Sequence, residues 1–182
     1  MMGNIIAYNS IKPKIDPSVF VAPSGTVVGD VTIGAGSSIW FNAVVRGDFQ
    51  KVTIGQNTNV QDNATIHVMA DEPTKIGNEV SIGHNAIVHA RKIGDNCLIG
   101  MGAIVLGYSE IGDNVVIGAG TMIAQHKKIP SNSLVYGTPA QIIRSLRDDE
   151  IEALRDSALN HAAIAQKYKA ELLFILQHNI IL

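Results

Sequence analysis

Valine and isoleucine recur along this chain at a step of six. The series runs Val21, Val27, Ile33, Ile39, Val45, then Ile54, Val60, Ile66, then Ile76, Ile82, Val88. It ends with Ile93, Ile99, Val105, Ile111, Ile117, Ile123, Ile129 and Val135. Fifteen of the eighteen steps between these nineteen positions are six, and the others are nine, ten and five. Glycine follows the apolar residue eight times, and the fourth residue after it is small at Ser37, Ala43, Ala64, Ala86, Cys97, Ala103, Ser109 and Thr121. A helix of 3.6 residues per turn cannot hold such a period. One short strand and one corner per six residues can, with the β-branched side chain pointing to the axis and glycine relaxing the corner. Three sides close a coil of about 18 residues, a triangular parallel β-helix whose coils stack at ~4.8 Å. Nineteen positions predict about six coils over residues 21–140. Residues 1–20 read as a lead-in with a short strand near Ile5–Tyr8.

Beyond Val135 the period changes. Asp148, Asp149 and Glu150 suit a helix N-terminus. Ile151, Leu154, Ala158, Ala162, Ala165, Tyr168 and Leu172 then form an apolar stripe of helical spacing. The spacing predicts one helix over residues 148–174, packed along the prism of a single-domain protein. The apolar tail, residues 175–182, is expected to pack against the domain or a neighbouring subunit.

Numbering the sides in rotation shows which residues share a face. Val27, Val45, Ile66 and Val88 fall on the second side, so the outward residues after them, Val28, Arg46, His67 and His89, form one row. His67 and His89 therefore sit one above the other, where two imidazoles can converge on a single metal ion. His84, only five residues before His89, lies around a corner on the first side and faces elsewhere. In a three-fold assembly, His84 of one chain is expected to complete the site begun by His67 and His89 of another. Three neutral imidazoles with a fourth position open suit a catalytic zinc, and also Fe(II) or Co(II). Gln61 faces outward on the side that carries His84, where its amide could bond a metal-bound water, and Asp62 follows it. Arg46 and Asp48 form a charged pair able to lock a protomer boundary. His126, His161 and His178 have no such company and read as non-functional.

Composition narrows the function classes. A net charge of −2 and no basic stripe argue against nucleic acid as a partner. No apolar run reaches the ~18 residues of a membrane span. The N-terminus lacks the basic and apolar regions of a signal peptide. A single cysteine, Cys97, fits a reducing, cytoplasmic setting.

"VRGD" at 45–48, "NVQD" at 59–62, "IHV" at 66–68 and "IGHNAIVHA" at 82–90, in that order on a hexapeptide frame, resemble the γ-class carbonic anhydrase family. The resemblance covers about residues 10–175. It implies a mainly β fold, a left-handed parallel β-helix with a C-terminal helix, assembled as a homotrimer with metal sites between subunits. It implies reversible hydration of CO2 to bicarbonate by a metal-bound hydroxide. His67 and His89 would come from one chain and His84 from its neighbour, Arg46 and Asp48 would bridge subunits, and Gln61 and Asp62 would line the site. "ALNHAA" resembles the segment whose asparagine orients CO2, which points to Asn160. The family's glutamate after the "RGD" triplet is Phe49 here, and the tyrosine two residues before the helix asparagine is Ala158. Its acidic proton-shuttle loop is the short "MADEPTK", which leaves Asp71 and Glu72 as candidates for proton transfer. The pattern is that of the shorter subclass, with proton transfer incompletely equipped. Two other readings stay open. One is acyl transfer from coenzyme A, or a related metal-dependent thioesterase. The other is a non-catalytic, metal-bearing trimeric accessory protein.

Overall fold

The computed structural model describes residues 3–178. All nineteen periodic positions are buried, most of them completely, and they line one continuous core. The small residues four positions on, from Ser37 and Ala43 to Thr121, are buried with them. The first side carries Phe20–Val21, Ser38–Ile39, Asn59–Val60, Ser81–Ile82, Leu98–Ile99, Val116–Ile117 and Ser133–Tyr136, each parallel to the next. Gln141–Ser145 closes this sheet as an antiparallel strand. The other two sides are continuous in the first coils, because Thr26–Ile33 and Val44–Ile54 round a corner without a break.

The first side shows seven rungs, all at the periodic positions, so the stack has about seven coils rather than the expected six. The lead-in completes the seventh coil on the other two sides. Asn4–Ile6 pairs in parallel with Thr26–Val28, and Lys14–Ile15 with Thr32–Ile33. Ile5 and Ile15 pack against the core there. Ile15 lies six residues before Val21, so the period already runs at that point, but a ten-residue step to Ile5 obscures it.

Corners need a backbone that most residues resist. Asn42, Asn57, Asn63, Asn85, Asn96, Asn114 and Asn132 all have positive φ, between 51° and 60°. Asparagine tolerates that left-handed region better than most residues with a β-carbon. Three of them also stack as a ladder, Asn96 donating to Asn114 at 2.8 Å and Asn114 to Asn132 at 2.9 Å.

Cys97 occupies an interior corner and donates its thiol hydrogen toward the carbonyls of Gly112 (3.1 Å) and Asp95 (3.3 Å). Burial pushes its pKa up to about 12. Thiolate, the reactive form, is therefore scarce at neutral pH. Alkylation at pH 8 is expected to be negligible in the native protein and rapid in denaturant; mass spectrometry of the native protein checks this.

The helix α1 runs Asp148–His178. The Arg147 N–H donates to Glu150 at 2.9 Å, half of a capping box, while Arg144 grips the same carboxylate through both terminal nitrogens at 2.7 Å. Those bonds hold the Glu150 pKa at about 2. The helix lies along the first side. Ala158 and Ala165 are fully buried there, and Tyr168 packs edge-on against Trp40 at 5.3 Å beside Phe20 and Phe41. Gln166 donates to the Ser18 carbonyl at 2.9 Å. The helix thus absorbs the start of the expected tail, and residues 179–182 of that tail lie outside the described residues. Among the described residues no helix is long and apolar enough to cross a membrane.

Candidate metal centre

The row predicted on the second side is present. Val28 pairs with Arg46, Arg46 with His67, and the strands bearing His67 and His89 continue in register. The two imidazoles meet edge to face with ring centroids 5.0 Å apart. His67 Nδ1 lies 2.9 Å from His89 Nε2.

The outer nitrogens decide what lies between them. His67 Nε2 is 2.8 Å from the Asp48 carboxylate, which can only accept, so its proton sits on Nε2. His89 Nδ1 is 3.0 Å from the Met69 sulfur, a weak acceptor able to take the proton of that nitrogen. With both outer nitrogens protonated, the inward nitrogens face one another at a distance that calls for a proton or a cation between them. Two nitrogens on a tetrahedral zinc stand about 3.3 Å apart, from Zn–N of about 2.05 Å, so the donor set fits with small adjustment. Burial first, then positive charge on His67 and Arg46, lowers the His89 pKa and favours the neutral ligand form. Burial alone would raise the Asp48 carboxyl, but hydrogen bonds from His67, the backbone and Arg46 outweigh it and keep the group below the usual carboxylate range.

His84 stands apart from this pair. Its Nδ1 is 2.9 Å from Asp62, and its side chain is 42% exposed. Asp62 therefore belongs to His84 as its orienting carboxylate. Among the described residues, no three His, Cys, Asp or Glu of one chain form a group that could hold a metal ion. The chain thus carries one facing pair of histidines and a third histidine apart from them.

The other expected residues have these partners within the chain. Arg46 bonds Asp48 within the same chain, and Asp48 is shared with His67. Gln61 is buried beneath α1, its amide nitrogen 3.0 Å from Asn59 Oδ1 and 3.4 Å from His161 Nε2. Asn160 is exposed and does not meet Gln61 within the chain. The reason is helical phase: Ala158, His161 and Ala165 share the inward face, and position 160 is turned away from it. His161 was legible as a member of that stripe, but Ala162 filled the apolar pattern equally well. Asp71 accepts from the Tyr108 hydroxyl at 2.8 Å, and Glu72 pairs with Arg91 at 3.4 Å. Met69 was missed altogether, because a thioether two residues past a histidine carries no signal without the fold. Phe49 is 63% exposed beside the His67 ring, at 5.8 Å.

Comparison with known proteins agrees with this architecture. The model "Bacterial transferase hexapeptide (six repeats)" matches residues 92–125, and "Hexapeptide repeat of succinyl-transferase" matches residues 73–107. A hexapeptide transferase family protein from Anaplasma phagocytophilum has the same fold, with a TM-score of 0.87 and 35% identity over 92% of this chain and 99% of that one. The carbonic anhydrase of Geobacillus kaustophilus is 44% identical over 166 residues, 91% of each chain. Gamma carbonic anhydrase 1, mitochondrial, of Arabidopsis thaliana is 42% identical over 165 residues, 87% of this chain. The chain spans about three fifths of that plant relative's length (60%). Two histidines meeting on one face, a third held by its own carboxylate, and this degree of identity over nearly the whole β-helix lead to one assignment: the chain belongs to the γ carbonic anhydrase family.

Proposed function

We propose that the protein catalyses reversible hydration of CO2 to bicarbonate at metal centres shared between copies in a homotrimer. His67 and His89 of one copy and His84 of a neighbouring copy would hold the ion. The observation that carries this reading is the approach of two imidazole nitrogens to 2.9 Å, with acceptors beside both outer nitrogens. Zinc is the first choice for three imidazoles, and Fe(II) or Co(II) also suits them. When bound, the ion supplies the Lewis acidity that makes water nucleophilic near neutral pH.

The chain's own groups set the stage. Asp48 fixes the tautomer and tilt of His67, Asp62 does the same for His84, and Met69 caps His89. Gln61 supplies an amide to orient the attacking water. Asp71 and Glu72, on the loop after His67, would take the released proton to buffer. Asn160, exposed on α1, could reach CO2 only across a subunit boundary. A reducing cytoplasm fits the buried free thiol of Cys97.

A site shared between copies has a specific test. His67→Ala and His84→Ala proteins are each expected to be inactive in stopped-flow CO2 hydration. Unfolded together and refolded as a mixture, they should recover about a quarter of wild-type activity, the chance that a random neighbour pair keeps both halves of a site. Mixtures that stay inactive would place the whole site within one chain. The likeness to a hexapeptide transferase supports a second reading, acyl transfer from coenzyme A. Coenzyme A binding in metal-free protein, without CO2 hydration, would favour it. Stoichiometric metal with no turnover of CO2, esters or thioesters would favour an accessory role.

A further inference from the structure

We infer that His161 is a positioning residue that fixes the amide of Gln61 as an acceptor. The rate consequence rests on the hydration reading; the hydrogen-bond order does not. His161 Nδ1 lies 2.9 Å from the carbonyl oxygen of Ser157, one turn earlier on α1. A carbonyl only accepts, so the proton of the neutral ring is on Nδ1 and Nε2 is bare. Facing that lone pair at 3.4 Å is the amide nitrogen of Gln61, which donates. The second hydrogen of the same amide goes to Asn59 Oδ1 at 3.0 Å, and Asn59 donates to the Ser81 hydroxyl at 2.8 Å.

Without His161 this chain of amides could run either way. Ser81 can donate as well as accept, and Asn59 and Gln61 could both flip, keeping every bond among the three. The flipped order would set the Gln61 oxygen against the bare Nε2 of His161, acceptor against acceptor. The bond from His161 to Ser157 therefore selects one arrangement of two. In that arrangement the Gln61 carbonyl oxygen has no hydrogen-bond partner among the described residues, although the residue is only 8% exposed. It is left to accept a hydrogen from the attacking water, which leaves that water's oxygen lone pair free for CO2. The flipped amide would donate to that lone pair instead and blunt it. Asn59, Gln61 and Ser81 all lie on the first side, the side that carries His84.

The test uses the full-length, metal-loaded protein. Nitrogen-15 NMR at pH 8 is expected to find His161 as the Nδ1–H tautomer, the less common form of a free imidazole. Gln61→Glu places carboxylate oxygens where donors stood, and His161 Nε2 should then gain a proton. His161→Ala should lower kcat roughly fivefold to tenfold, the scale of one hydrogen bond, with KM and metal content unchanged. His161→Gln, whose amide oxygen can accept from Gln61, should restore most of the loss. An Nε2–H tautomer in the wild-type protein, or an unchanged kcat for His161→Ala in an active enzyme, would overturn the inference. Wild-type protein without CO2 hydration would count against the hydration reading alone; the tautomer and its response to Gln61→Glu would still decide the positioning.

Discussion

His89→Ala is expected to leave a folded β-helix that no longer retains metal and no longer hydrates CO2. The side chain points outward from the coil, while the axial residue before it, Val88, is fully buried. Removing the ring therefore leaves the core untouched, and the thermal midpoint of the metal-free protein should move by no more than a few degrees. The chemistry has no such margin. Without the ion, water keeps a pKa of 15.7 rather than about 7, so hydration should fall by roughly a thousandfold or more. Elemental analysis of protein purified without added metal, paired with stopped-flow hydration, checks both halves. Metal at wild-type stoichiometry in the variant would refute the ligand assignment. The pH dependence has a definite sign. Burial lowers the His89 pKa, so the ring stays neutral further into acid than a free imidazole. Metal should be held below pH 6.5 and released only on further acidification.

Ile99→Ala is expected to have the largest effect on stability. Ile99 is fully buried in the middle of the stack, with Ile82 directly on one side and Ile117 on the other. Truncation removes the contact to both at once. The axis has no loop that can collapse into the gap, because each coil is held by parallel hydrogen bonds to its neighbours. A loss of about 2–5 kcal/mol is expected, in the upper part of that range. Chemical denaturation at fixed protein concentration, with the slope unchanged, measures it. A loss under about 1 kcal/mol would mean that the axis is not packed as described.

The contrast between the two variants reflects how the chain divides its labour. Axial positions hold the coil and outward positions carry the chemistry, one residue apart in sequence: Val45 and Arg46, Ile66 and His67, Val88 and His89. This also explains how a site can be built on so regular a frame. The cost of an outward residue is small, so the row can hold ligands and their partners with little penalty to folding.

Much of this was legible in the sequence because the parallel β-helix turns sequence period directly into spatial register. A side chain six residues on is one side round, and one coil on it is directly above. The nineteen axial positions, the face that carries His67 and His89, and the different direction of His84 all follow from counting. Counting fails wherever the step is not six. The ten-residue step across the lead-in hid two sides of one coil, and the loop after His67 hid Met69. It also fails between elements of different period. The phase of α1 against the first side, which turns His161 rather than Asn160 toward Gln61, depends on how Ala158 and Ala165 seat against the sheet. Hydrogen-bond partners were decided by the fold as well. That Asp48 would serve His67 and Asp62 would serve His84 depends on where side chains turn at a corner, within a few tenths of an ångström. Repetition let the sequence by itself determine the coil, its core and the histidine row. The partners of each histidine were left to the tertiary structure, because direction and distance between side chains are set by packing and not by spacing along the chain.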